Sequence, residues 1–137
     1  MTETEWDKLL RIKTSGRDDS HADQFRYPYE PTPYSVLERL ASSEYIGKSN
    51  ILLDYGCGKG RVSFFLAYQC KCKSIGIEYD GRIYEGAVRN KESAVSGKQQ
   101  KSDMRTARSR LRFLLIRKCA EAVDMRRRLR LNIIQTS

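Results

Sequence analysis

Histidine is almost missing from this 137-residue chain, with His21 its sole representative, and cysteine is sparse at four. The cysteines stand at Cys57, Cys70, Cys72 and Cys119. Cys70-Lys71-Cys72 lacks the two-residue gap of a zinc knuckle and His21 is remote in sequence, so neither a metal site nor a disulfide framework is expected. Free thiols make a reducing, cytoplasmic setting the expectation. Long apolar runs are missing as well: none approaches the roughly 20 residues that cross a bilayer. The opening residues Met1 to Asp7 are acidic where a secretion signal would be basic and then apolar. No internal repeat and no low-complexity tract is present. Proline occurs three times, always between Pro28 and Pro33. Most of the chain also lacks net charge: the formal +9 belongs wholly to residues 98–137, while residues 1–97 balance. Such asymmetry marks a tail that meets nucleic acid or membrane, or sequence outside a packed fold.

What is present begins with a helical pattern. Trp6, Leu9, Leu10 and Lys13 share a spacing that predicts a short amphipathic helix over Thr4–Lys13. Thr14–Ser20 reads as a polar linker. Gln24–Tyr34 alternates aromatics with the three prolines, which forbids regular helix or a central strand. That arm either lies over a ligand or packs on the surface. Thr32 as N-cap and Pro33 at the first helical position predict a helix to Ser42, with Val36, Leu37, Leu40 and Ala41 as its apolar face.

The chain then reaches Ile51-Leu52-Leu53-Asp54-Tyr55-Gly56-Cys57-Gly58-Lys59-Gly60-Arg61-Val62. An apolar run ending in an acid reads as a buried strand over Asn50–Tyr55. Alternate glycines let the backbone turn sharply and approach a ligand with no Cβ between. An apolar helix over Arg61–Gln69 follows, its N-terminus turned toward whatever occupies the turn. Ser74–Glu78 is a second short strand ending in an acid, Asp80-Gly81 a turn, and Arg82–Val95 a second helix with Ile83, Ala87 and Val88 on its buried face. Gly97 is the expected C-terminal stop. Alternating strands and helices with short connections predict an α/β fold: a Rossmann-like doubly wound parallel sheet preceded by N-terminal helices. Leu111–Ile116 fits either a third strand or one face of a helix with Met104, Ala107, Leu111, Leu114 and Leu115.

The glycine turn is a nucleotide cradle, and two common kinds fail. A dinucleotide fingerprint requires Gly or Ala where the chain has Arg61 or Phe64. A phosphate loop requires Lys-Ser/Thr after its last glycine, where Arg61-Val62 stands. The remaining pattern, Asp54-x-Gly56-x-Gly58-x-Gly60 with Glu78 closing the next strand, resembles motif I and the following acidic position of class I S-adenosylmethionine-dependent methyltransferases. The resemblance spans about residues 27–95. It implies S-adenosylmethionine as cofactor and methyl transfer as activity. It assigns cofactor binding to Asp54, Gly56, Cys57, Gly58, Gly60, Glu78 and Tyr79. Amides around Gly56 and Gly58 would approach the methionine part, and Asp54 would brace the turn and face the ammonium. Glu78 would accept both ribose hydroxyls, since a carboxylate offers only acceptors. Tyr79 would pack on the adenine or stand in solvent, and Cys57 carries no expected reactivity.

The resemblance stops where the acceptor side should begin. No Asn/Asp-Pro-Pro-aromatic motif occurs, and no catalytic base can be named. With Leu111–Ile116 as third strand, the family's adenine-facing acid falls near Cys119, which replaces it poorly. Three parts are therefore expected: an N-terminal helix and arm (1–31), a cofactor-binding core (32–97) and a basic segment (98–137). The sheet is expected to be incomplete, as in a truncated or rearranged form of a longer enzyme. The acceptor stays open among small molecule, protein and nucleic acid, with no membrane partner. Two other functions remain. One is a nucleic-acid-binding module using Arg105, Arg108, Arg110, Arg112, Arg126, Arg127, Arg128 and Arg130, although Phe113 is the only aromatic among them. The other is a non-catalytic cofactor-binding scaffold, prone to self-association through an uncovered sheet edge.

Overall fold

The computed structural model describes residues 1–16, 29–94 and 113–116. It is an α/β arrangement of four helices and a parallel sheet: α1 (Glu3–Leu10), α2 (Tyr34–Ser42), β1 (Ile51–Tyr55), α3 (Arg61–Cys70), β2 (Lys73–Ile77), α4 (Gly81–Ser93) and β3 (Phe113–Ile116). The strand order is β1-β2-β3 with both pairings parallel. This order is compatible with one side of a doubly wound sheet. Of the two readings of Leu111–Ile116, the described residues Phe113–Ile116 take the strand. The eight arginines named for a nucleic-acid contact, Cys119, Gly97 and the arm residues Gln24–Pro28 lie outside the described residues. Among the described residues no strand flanks β1 on the side away from β2, and no helix is long and apolar enough to cross a membrane.

Register explains the layering. Leu52 stands opposite Ser74 and Asp54 opposite Gly76, so these four share one face; Leu53, Ile75 and Ile77 belong to the other. Leu52, Leu53, Ile75 and Ile77 are all buried, as befits a parallel sheet covered on both sides. On the first face Leu52 joins a cluster with Trp6 and Leu10 of α1, Tyr34 and Leu37 of α2, and Phe64, Phe65 and Leu66 of α3. Trp6 meets Phe65 edge-on at 4.9 Å between centroids and stacks on Tyr34 at 5.8 Å. The N-terminal helices are therefore part of the core.

Several local expectations change. α1 stops at Leu10, because Arg11 turns left-handed (φ 56°) and sends its N–H back to the Asp7 and Lys8 carbonyls. Within the helix Leu9 is exposed, while Trp6 and Leu10 are buried. The start of α1 is a capping box, Thr2 and Glu5 each accepting from the other's backbone N–H. α2 is not capped by Thr32: Pro33 is its N-cap, with no side-chain cap, and the Tyr34 N–H instead donates to Glu3 Oε1 at 2.9 Å. Its buried residues are Tyr34 and Leu37, while Val36 is exposed. α4 is capped by Asp80, whose Oδ1 accepts from the Arg82 and Ile83 N–H groups, and it ends at Ser93, short of Val95.

Candidate functional site

The strand–turn–helix unit places Asp54 near the C-terminal end of β1 and Glu78 just beyond β2, so both carboxylates lie at the same end of two adjacent parallel strands. That end is where α/β sheets bind ligands. The turn between β1 and α3 runs through three left-handed glycines, Gly56 (φ 71°), Gly58 (φ 58°) and Gly60 (φ 92°). A side chain at any of them would be strained.

The three glycines answer to different neighbours. A Cβ on Gly60 would sit 2.5 Å from the Phe64 ring, and one on Gly58 would sit 2.4 Å from Tyr29. Those two glycines make room for the protein itself. Around Gly56 a Cβ would meet nothing within 4 Å, and Gly56 is exposed. Gly56 is thus the open backbone of the turn, and Tyr29 fills the space over Gly58 that the sequence left to a ligand. The Tyr29 hydroxyl donates to the Thr14 carbonyl at 2.8 Å, and Lys59 Nζ lies 4.8 Å from the ring centroid. Of the two readings of the aromatic arm, packing describes this residue.

The turn's amides serve its own shape. Gly56 and Cys57 N–H both donate to the Ile77 carbonyl, at 2.8 and 3.0 Å, and Gly60 N–H donates to the Cys57 carbonyl at 2.8 Å. Gly58 N–H donates to Glu78 Oε2 at 2.9 Å, and Asp80 N–H to Glu78 Oε1 at 2.8 Å. The sequence had offered the Gly56 and Gly58 amides to the ligand; here they tie the turn to β2. Each Glu78 oxygen still has a second lone pair, because a carboxylate accepts about four hydrogen bonds. Tyr79, next to it, is 69% exposed.

Asp54 is 4% exposed. Ser63 Oγ donates to its Oδ2 at 2.9 Å. Burial pushes the Asp54 carboxyl up to about 6, with the Glu78 charge adding to the rise and hydrogen bonding from Ser63 opposing it. Cys57 is buried, and burial, helped by the charges of Asp54 and Glu78, drives its thiol well above the ordinary cysteine value. It is an inert part of the turn. Among the described residues no group of three His, Cys, Asp or Glu side chains is arranged to hold a metal.

Sequence reasoning missed the polar cluster behind the turn. Arg61, treated only as a mismatch to the dinucleotide pattern, is 3% exposed. Its Nε donates to Thr14 Oγ1 at 2.7 Å and its terminal nitrogens to Ser15 Oγ and the Thr32 carbonyl, both at 3.2 Å. It pairs with Glu3, approaches Asp7 at 3.9 Å, and lies 4.4 Å over the Tyr34 ring. Asp7 in turn accepts from Thr14 N–H (2.7 Å), Thr14 Oγ1 (2.6 Å), Ser15 N–H and Oγ (both 3.0 Å) and the Tyr34 hydroxyl (2.6 Å). Thr14–Ser15 is therefore a docked segment at the start of what looked like a linker. Asn90 adds a second attachment: its Nδ2 donates to the Lys13 and Lys59 carbonyls and its Oδ1 accepts the Lys13 N–H. One signal was readable, namely an arginine opening an otherwise apolar helix, with Asp7 beside the buried Trp6.

Fold and site together define an α/β chain with a parallel sheet, an open glycine turn and two buried carboxylates at the C-terminal end of its strands. A stretch of 73 residues is 33% identical to a protein-lysine N-methyltransferase of Saccharolobus islandicus (strain REY15A), covering 52% of this chain and 45% of that relative. The match thus spans less than half the relative's length. No family model matches the chain.

Proposed function

We propose that the chain is the cofactor-binding portion of an S-adenosylmethionine-dependent methyltransferase with a Rossmann-like core. The observation that carries this reading is the exposed backbone of Gly56 between Asp54 and Glu78 at the ends of adjacent parallel strands. The likeness to a protein-lysine N-methyltransferase supports it. The residues fit the cofactor in kind. Glu78 keeps acceptor capacity for the two ribose hydroxyls while it holds Gly58 and Asp80. A ligand ammonium near Asp54 would offset the cost of keeping that buried carboxylate charged. Gly56 lets a ligand approach the main chain, and Tyr79 offers an exposed ring beside Glu78 for the adenine. Gly58, Gly60 and Cys57 shape the turn.

When bound, the cofactor supplies an electrophilic methyl group on a sulfonium. The chain's part is then orientation and exclusion of water. Following the relative's description, the acceptor we propose is the ε-amine of a protein lysine, which must shed its proton before it can attack. We assign no base to that proton. Mass spectrometry of lysine-rich proteins incubated with the chain and S-adenosylmethionine tests the reading. Methylated lysine is the expected result. Binding of the cofactor without methylation of any protein would leave the scaffold reading in its place, and failure to bind would overturn both.

A further inference from the structure

The N-terminal segment touches the glycine turn through a continuous set of contacts that the proposed function does not use. Arg61 Nε holds Thr14 Oγ1; the Thr14 carbonyl holds the Tyr29 hydroxyl; the Tyr29 ring lies against Gly58; and the Gly58 N–H holds Glu78 Oε2. Every link is buried or half-buried. Asn90 ties the same segment, at Lys13, to the Lys59 carbonyl on the other side of the turn. Ser93 Oγ donates to the Arg11 carbonyl at 2.7 Å. Residues 11–15 are thus clamped between α3 and α4, with the turn held against them at two points.

We infer that Arg61, Thr14 and Tyr29 are positioning residues: they keep Gly58 where its amide orients the Glu78 carboxylate. Arg61 suits the task because its planar fork reaches Thr14, Ser15, Thr32 and Glu3 at once, and a lysine cannot reproduce that pattern. Tyr29 transmits the constraint because Gly58 has no Cβ to keep the ring away. The consequence for ligand affinity rests on the cofactor reading above; the consequence for the turn does not.

The test separates the two. Amide hydrogen exchange of the ligand-free protein, read at Gly58 and at the β1–β2 ladder, is compared among wild type, Arg61→Lys, Tyr29→Phe and the double variant. Leu37→Ala, a core truncation that touches none of the relay's hydrogen bonds, controls for general loss of stability. Each relay variant is expected to speed Gly58 exchange about tenfold while the ladder keeps its protection, and the double variant is expected to exceed neither single by much. Tyr29→Phe removes one hydroxyl and keeps the ring, so it decides the matter even if Arg61→Lys fails to fold. Equal acceleration at Gly58 and in the ladder, or the same Gly58 acceleration in Leu37→Ala, would overturn the relay. Calorimetric titration of the same variants with S-adenosylhomocysteine reads the second consequence. A wild type that does not bind would sink the cofactor reading and leave the exchange result standing, whereas binding unchanged by a loosened Gly58 would overturn the link to Glu78.

Discussion

Two aspartates in this chain are buried to nearly the same degree, Asp7 at 7% exposure and Asp54 at 4%, yet their acidities move in opposite directions. For Asp7, burial raises the carboxyl, but hydrogen bonds from Thr14, Tyr34 and Ser15 outweigh it and hold the group below its ordinary value. For Asp54, burial wins, the Glu78 charge adds to it, and the carboxyl rises to about 6. Both side chains are shielded from water, but Asp54 lies deeper in the protein and has fewer donors than Asp7, and the two differences act in the same direction. A carboxylate surrounded by donors is a finished structural joint, while one held by Ser63 and crowded by a second carboxylate favours the arrival of a cation. The N-terminal cluster therefore reads as architecture, while the carboxylates at the end of the sheet are the ones our proposal gives to a ligand.

The largest effect should come from dismantling the finished joint. Asp7→Ala strands the Thr14, Ser15 and Tyr34 donors and leaves Arg61 with Glu3 as its remaining carboxylate partner. Urea unfolding should show a loss of about 4 kcal/mol; a loss below about 1 kcal/mol would break the contrast. Gly58→Ala comes next, since it adds left-handed strain to a collision with Tyr29, and should cost about 3 kcal/mol.

Asp54→Asn should act the other way. Asp54 has its folded value raised from 3.8 to about 6, so the folded state binds the proton more tightly than the unfolded chain does. Its contribution to stability is full below about 4 and is lost as pH rises through about 6. At pH 7 the asparagine variant should therefore be the more stable by about 3 kcal/mol, with the advantage fading as the pH falls from about 6 to about 4. Asp7, whose value is lowered, contributes stability above its ordinary range and loses it on acidification. Opposite slopes with pH in the two variants' stability differences from wild type are the signature to look for. Gly56→Ala should have the smallest effect on stability, about 1 kcal/mol of left-handed strain, because its surroundings are open.

The same contrast accounts for what could be read in the chain. The elements around the site follow local rules: Leu52 and Leu53 buried on either side of a parallel strand, three glycines with positive φ, and Asp80 capping α4. Their boundaries moved by a residue or two. The N-terminal cluster depends on pairs far apart in sequence, such as Glu3 with Tyr34, Asp7 with Tyr34 and Thr14 with Arg61. No periodicity connects them. Thr32 looked like an N-cap because Thr-Pro is a local signal; the donor it would have served found Glu3 instead. At Gly58 the sequence shows that a side chain is missing but not that Tyr29 occupies the space.

The reading of Asp54 and Glu78 as a ligand site is tested most directly by calorimetric titration of S-adenosylhomocysteine into wild type and Glu78→Gln at pH 7.5. Glutamine keeps one carbonyl acceptor for the backbone but brings a donor toward the ribose. A single site in wild type, weakened about tenfold or more by Glu78→Gln with the fold intact, is the predicted result. Equal affinity in the two proteins, or no heat from the wild type at millimolar ligand, would contradict it.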